Sequence, residues 1–239
     1  MSSGGVRAKS MIPSYPSVTR ANHYTLVTGF YPGHTGIAGN TFYDPKSRRA
    51  FDKTETVWFD RESIWQTASK SKVITANINY PDARTITRGM KDVYQISKVK
   101  AVTIEDQLEA IKGWLDMSEA KRPHLITLYF NETDHQGHIY GPDAIEVEVA
   151  AKKIDKNISL IDSLVNSTGL PINIIFVSDH GMTSINKQDA LPLPIVIDTM
   201  NFVINNQNLL VNVYAKDQSF VAETYSKLLK SETRITRFT

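Results

Sequence analysis

The 239-residue sequence contains no cysteine. Disulfides and thiolate metal sites are thereby excluded, and any bound metal must rest on histidine and carboxylate ligands. No apolar run approaches the roughly 20 residues that a membrane-crossing helix needs, so no membrane span is expected. The opening residues, Met1 to Arg7, lack the apolar core of a signal peptide. Charge of one sign is missing too. The 27 basic and 25 acidic residues give a net charge of +2 and are interspersed, which indicates neither a nucleic-acid groove nor a polybasic membrane patch. Apolar residues, by contrast, make up 41% of the chain. That suffices for one sizeable core, or for a core with an appended subdomain.

No internal repeat or low-complexity linker stands out. Pro13 and Pro16 stiffen an extended lead-in, because a residue before proline avoids helix. A helix is expected over 22–30, stopping at Gly29 and the Tyr31-Pro32-Gly33 turn. The stretch 33–53 is loop-rich, with turn chemistry at Tyr43-Asp44-Pro45. Further helices are expected over 61–69, 103–115 and 143–165, the second with Thr103 as its cap and Glu105 and Asp106 in its first turn. Strands are expected over 72–78, 125–130 and 172–178, and downstream over 193–197 and 209–214, with a helix over 218–229. Residues 231–239 carry no capping or packing signal and read as an interrupted chain. Strand–helix–strand alternation implies an α/β fold with a mostly parallel sheet covered on both faces.

Two of the apolar runs share a design. The run 125–130 leads to Asp134 and His138, and the run 172–178 leads directly to Asp179-His180-Gly181-Met182. Each reads as a buried strand that delivers one carboxylate and one imidazole past its carboxyl end, the edge where open α/β sheets bind ligands. Asp134 and His138 need a loop, with Gly137 at its bend, to reach one ion. Asp179 and His180 need a sharp turn, which Gly181 allows. Taken singly, each pair has an ordinary explanation, a polar loop in one case and a turn-capping aspartate in the other. Together they point to two zinc-like ions and a metallohydrolase.

Such a site also needs a nucleophile, and Thr19 is the candidate. It lies where the lead-in becomes a helix, and free N–H groups at a helix start favour a bound phosphate. A hydroxyl on a divalent ion loses its proton more readily. The alternative is that Thr19 or Asn22 serves only as a helix cap.

The runs 10–19 and 31–40, with Tyr31-Pro32-Gly33-His34 and Gly39-Asn40, resemble the nucleotide pyrophosphatase/phosphodiesterase family of the alkaline phosphatase superfamily. Asn131-Glu132-Thr133-Asp134, Gly137-His138 and the Asp179-His180-Gly181-Met182 box match that family in order and spacing, so the resemblance spans about residues 5–185. It implies an alkaline-phosphatase-like sheet and a single catalytic domain over 1–239, partial because a first strand and a C-terminal portion are missing. It implies Thr19 as a nucleophile that becomes phosphorylated, and Asn40 as the holder of a non-bridging phosphate oxygen. Asp134 and His138 would bind one zinc, and Asp179 and His180 the other, beside Thr19, with the ions about 4 Å apart. The expected substrate is a small phosphodiester, a pyrophosphate or a nucleotide. The implied setting is extracellular, periplasmic or membrane-anchored.

Three departures qualify the resemblance. The family carries a further metal-binding Asp before the nucleophile, whereas the first Asp here is Asp44. It also carries a late His, and none follows His180. Four of six expected ligands remain, so weak or no turnover is expected of this chain by itself. It reads as a chain that begins and ends inside a longer enzyme, with a degenerate relative as the rival. Arg20 stands where many nucleotide-hydrolysing members have Phe, and could contact a second phosphate or a charged head group. A phosphomonoesterase or phosphonate hydrolase is the alternative activity. A non-catalytic fragment with a structural or binding role is the alternative from another class.

Overall fold

Local signals decide most of the helix boundaries. In the computed structural model, which describes residues 5–96, 102–186, 188, 197–207 and 210–230, helix α1 runs Thr19–Thr28 and ends at Gly29, whose φ of 73° suits a residue without a Cβ. It begins three residues earlier than the apolar pattern indicated. A short turn of helix, α2, follows at Pro32–Thr35. Helix α3 (Ile64–Lys70) starts on a reciprocal cap between Ser63 and Gln66. Helix α5 (Ile104–Leu115) starts on the same device between Thr103 and Asp106. Between them lies α4 (Ala83–Ile86).

The central sheet is parallel, in the order β4-β3-β5. Its middle strand β3 (Thr75–Ile78) is buried at every position. Ile78 pairs with Ile96 of β4 (Val93–Ile96) and with Leu128 of β5 (Leu125–Leu128). After β5 come α6 (Glu132–Tyr140) and the long α7 (Ile145–Ser167). The core joins β3, α5 and α7 through Ala76, Ile78, Ile111, Trp114, Leu115, Ile161 and Val165. Each fully buried aliphatic side chain in it contributes about 1.5–3 kcal/mol. The α/β parallel architecture expected from the sequence is therefore present.

Two expectations are corrected. Residues 172–178 do not form a buried strand. They make no ladder with any described residue, and Ile175, Phe176 and Val177 are exposed at 83%, 52% and 60%. An apolar run becomes a strand only when a neighbouring strand offers its main chain, and the described sheet stops at β5. Ile174 alone of this run packs on the core. Second, Asp134 and His138 do not sit on a loop bent at Gly137, because α6 carries both.

The chain divides into two units, residues 1–37 with 53–184 and residues 38–52 with 185–239. The second contains the hairpin β1 (Tyr43–Asp44) and β2 (Arg49–Ala50). The expected turn is there, since the Asp44 carboxylate accepts from the Lys46 and Ser47 amides. The same unit holds the antiparallel pair β6 (Phe202–Asn206) and β7 (Val211–Ala215), then a 3₁₀ turn at Gln218–Phe220 leading into α8 (Val221–Lys230). The strand expected over 193–197 falls almost wholly outside the described residues, as does the segment 231–239.

Candidate active site

Thr19 is the first residue of α1, preceded by Val18, which supplies no side-chain cap. Asn22 is not a cap either. It is buried, and its Oδ1 accepts from the Ser14 amide at 2.7 Å and the Ser14 hydroxyl at 2.9 Å. Its Nδ2 donates to the carbonyls of Pro16 (3.0 Å) and Val18 (3.1 Å). Asn22 thus ties the proline-stiffened lead-in to α1, and Thr19 is held at the junction with its hydroxyl uncommitted to the helix.

That hydroxyl meets His180, with Oγ1 3.2 Å from Nε2. The other ring nitrogen, Nδ1, lies 2.9 Å from the Gly181 carbonyl, which can only accept. Nδ1 is therefore the protonated nitrogen of the neutral ring, and the Nε2 lone pair faces Thr19. Asp179 Oδ2 is 3.2 Å from the same Nε2. Two lone-pair carriers so close are favourable only with positive charge between them, supplied by a proton or a metal cation.

Sequence reading missed a fourth member, His23. Its Nε2 is 3.3 Å from Asp179 Oδ2. Tyr80 and Tyr129 flank the ring edge-on with centroids at 4.9 Å each. These tyrosines lie just past the carboxyl ends of β3 and β5, so the cluster occupies the sheet edge that the topology favours for ligands. The spacing of four between Thr19 and His23 was the available signal, since such residues share a helix face. Burial pushes the Asp179 carboxyl up, but the neighbouring His23 and His180 outweigh it and hold it below the usual carboxylate range. Burial, with the charge of Asp179 second, raises the Tyr129 phenol to about 12 and Tyr80 as well.

Asp134 and His138 are one turn apart on α6, with His138 Nε2 3.5 Å from Asp134 Oδ1. His138 is 71% exposed, so this pair opens to solvent. Gly137, between them, touches the other motif, because a Cβ there would lie 2.5 Å from Met182 Sδ. Arg20 is engaged by Asp82, Nε to Oδ2 at 2.8 Å. Asn40 belongs to the second unit, where its amide donates to Gln207 Oε1 at 3.1 Å. A shallow cavity of about 180 Å³ in that unit, lined by Tyr43, Arg48 and Lys216 among others, contains none of the expected site residues.

The donors suit a divalent cation of the zinc type. Each pair combines a hard carboxylate oxygen with a borderline imidazole nitrogen. Asp134 Oδ1 is buried without a hydrogen-bond partner, a costly state that a cation would relieve, and Asp179 Oδ2 faces the imidazole nitrogens of His23 and His180. Among the described residues, however, no three His, Asp or Glu side chains are grouped to hold one ion. Each pair offers two candidate ligands.

The sequence matches the family described as "Type I phosphodiesterase / nucleotide pyrophosphatase" over residues 1–236. It is 35% identical over 186 residues to ectonucleotide pyrophosphatase/phosphodiesterase family member 1 of Mus musculus, covering 74% of this chain and 20% of that protein. An uncharacterized pyrophosphatase/phosphodiesterase of Schizosaccharomyces pombe is 35% identical over 193 residues, covering 76% of this chain and 40% of that one. The chain thus spans between a fifth and two-fifths of these relatives' length. Among solved structures, murine ectonucleotide pyrophosphatase/phosphodiesterase 5, an inactive threonine-to-alanine variant in complex with AMP, superposes with a TM-score of 0.83 at 23% identity. The match covers 95% of this chain and 62% of that one.

Proposed function

The chain belongs to the type I phosphodiesterase/nucleotide pyrophosphatase family, and from that premise we propose that it carries the machinery for hydrolysing phosphodiester or pyrophosphate bonds through Thr19. The observation that carries the reading is the 3.2 Å contact between the Thr19 hydroxyl and His180, across 161 positions of sequence. The start of α1 supports it. No side chain caps that terminus, and its amides and helix dipole favour a phosphoryl group.

In the proposed reaction the Thr19 oxygen attacks phosphorus and the bond to the leaving alcohol or phosphate breaks. The threonine then bears the remaining phosphoryl group. The Thr19 proton leaves with the departing alcohol or phosphate, and water then displaces Thr19 from phosphorus and supplies the proton that restores its hydroxyl. His180 Nε2 faces that hydroxyl, so a cation held by its lone pair would stand beside the Thr19 oxygen. Asp179 with His180, and Asp134 with His138, are the residues that would hold two divalent ions, zinc by their donor chemistry. Such ions, when bound, supply positive charge that acidifies the hydroxyl and offsets charge on the phosphoryl oxygens.

Asn40, holding a non-bridging phosphate oxygen, and Arg20, contacting a second anionic group of the substrate, complete the proposal. The AMP in the murine relative supports a nucleotide-type substrate, and the ectonucleotide relatives support a site of action outside the cytoplasm. Among the described residues no helix is long and apolar enough to cross a membrane.

The deciding experiment measures hydrolysis of bis(4-nitrophenyl) phosphate with added zinc. It uses the chain alone and the chain with any flanking coding sequence restored. Thr19→Ala, His138→Ala and His180→Ala are each expected to abolish zinc-dependent turnover. Turnover that survives all three would overturn the assignment.

A further inference from the structure

We propose that His23 is a positioning residue that fixes the Asp179 carboxylate for cation binding. The inference rests on the metal reading of Asp179 and His180 given above. His23 follows Thr19 by one helical turn, so α1 presents the nucleophile and this imidazole on one face. The ring is buried, its side chain only 8% exposed, and both ring nitrogens lack any other hydrogen-bond partner. Tyr80 and Tyr129 stand edge-on at interplanar angles of 84° and 86°, and the Tyr80 hydroxyl donates to the His23 carbonyl at 3.2 Å. Ring and backbone are both held.

Asp179 is placed differently. It follows the run 172–178, which forms no main-chain ladder with the described residues. Side-chain contacts therefore help to locate its carboxylate. His23 Nε2, at 3.3 Å from Oδ2, provides one from a helix packed at the sheet edge. Donation from Nε2–H to Oδ2 stops the carboxylate from rotating and leaves the lone pairs of Oδ1 for a cation. His23 is not itself a third ligand, because His23, Asp179 and His180 are not grouped to hold one ion. A buried imidazole with an N–H, clamped between aromatic edges and facing a candidate ligand, is an orienting donor.

The test is a calorimetric titration of the 239-residue chain with zinc, for the wild type, His23→Phe and His23→Gln, with thermal melts to confirm folding. Phe keeps a flat ring between the tyrosines but has no N–H. Gln supplies an amide N–H near the position of Nε2. His23→Phe is expected to weaken zinc binding about 10–100-fold, and His23→Gln to recover most of the loss. Wild-type affinity in a folded His23→Phe variant would overturn the positioning role and leave the metal reading standing. So would a folded His23→Gln variant that binds no better than His23→Phe. If His23→Phe does not fold, His23→Gln decides alone, with near-wild-type affinity supporting the role and a large loss overturning it. Absence of zinc binding by the wild type would instead overturn the metal reading and the role with it.

Discussion

The Thr19 hydroxyl and His180 Nε2 lie 3.2 Å apart, and the opposite ring nitrogen of His180 is committed to the Gly181 carbonyl. Thr19 makes no capping bond at the start of α1, so its hydroxyl can be removed without loosening the helix. Thr19→Val, nearly the same shape, is expected to lower diester hydrolysis by more than about 1000-fold. Its unfolding free energy should stay within about 0.5 kcal/mol of the wild type. Thr19→Ser should retain measurable turnover. Steady-state kinetics beside thermal melts check both halves, and full activity in Thr19→Val would remove this residue from the chemistry.

Asn22 should behave in the opposite way. Its side chain makes four short hydrogen bonds to the lead-in, two from Ser14 and two to backbone carbonyls. Asn22→Ala leaves those buried groups without partners, at a cost of about 3 kcal/mol. Denaturant unfolding measures it. A loss below about 1 kcal/mol would show that the lead-in is held by something else.

Gly137 sets two effects against each other. Alanine in the middle of α6 would gain up to about 1 kcal/mol in helix propensity, yet its Cβ would collide with Met182 Sδ. Met182 follows Asp179, His180 and Gly181 directly, so its displacement disturbs the candidate ligands. Gly137→Ala is expected to cut turnover about tenfold, with a stability change within about 1 kcal/mol. Adding Met182→Ala should restore turnover. A double variant as impaired as the single one would place the damage elsewhere.

Tyr24 gives the chain an alkaline limit. Burial raises its phenol to about 12, and its hydroxyl both donates to the Arg61 carbonyl (3.0 Å) and accepts from the Arg61 amide (2.9 Å). The folded state holds this proton more tightly than the unfolded state does. The contribution is therefore complete below about pH 10, falls as pH rises through the folded value, and amounts to about 1 kcal/mol after allowance for solvent screening. Tyr24→Phe should be less stable at neutral pH and should lose less stability between pH 10 and 12. Denaturant titrations across that range test the sign, and parallel curves for the two proteins would contradict it.

The elements that sequence reading placed well are those whose determinants are local. Thr103 with Asp106 and Ser63 with Gln66 each close a cap within four residues, and Gly29 stops α1 through its own φ. Position 172–178 was misread because apolar content says nothing about whether a neighbouring strand exists. The helix around Gly137 was misread because its sequence is poor in helix formers, while packing against α7 and Met182 stabilises it. In the candidate site, sequence reading singled out the Asp179-His180 pair and Thr19, and the structure brings Thr19 and His180 into contact. Their contact and the part of His23 depend on tertiary placement, which no spacing along the chain encodes.

The bare run before Asp179 has a colloidal consequence. Ile172-Asn173-Ile174-Ile175-Phe176-Val177 has no charge, no proline and three strongly exposed apolar side chains. Short uncharged segments of this composition stack edge to edge between molecules. Crowded copies of the chain would draw on the same segment that presents Asp179 and His180, so clumping would sequester a candidate metal arm along with the strip. Solubility and the proposed metal binding would thereby be rivals for one stretch of backbone.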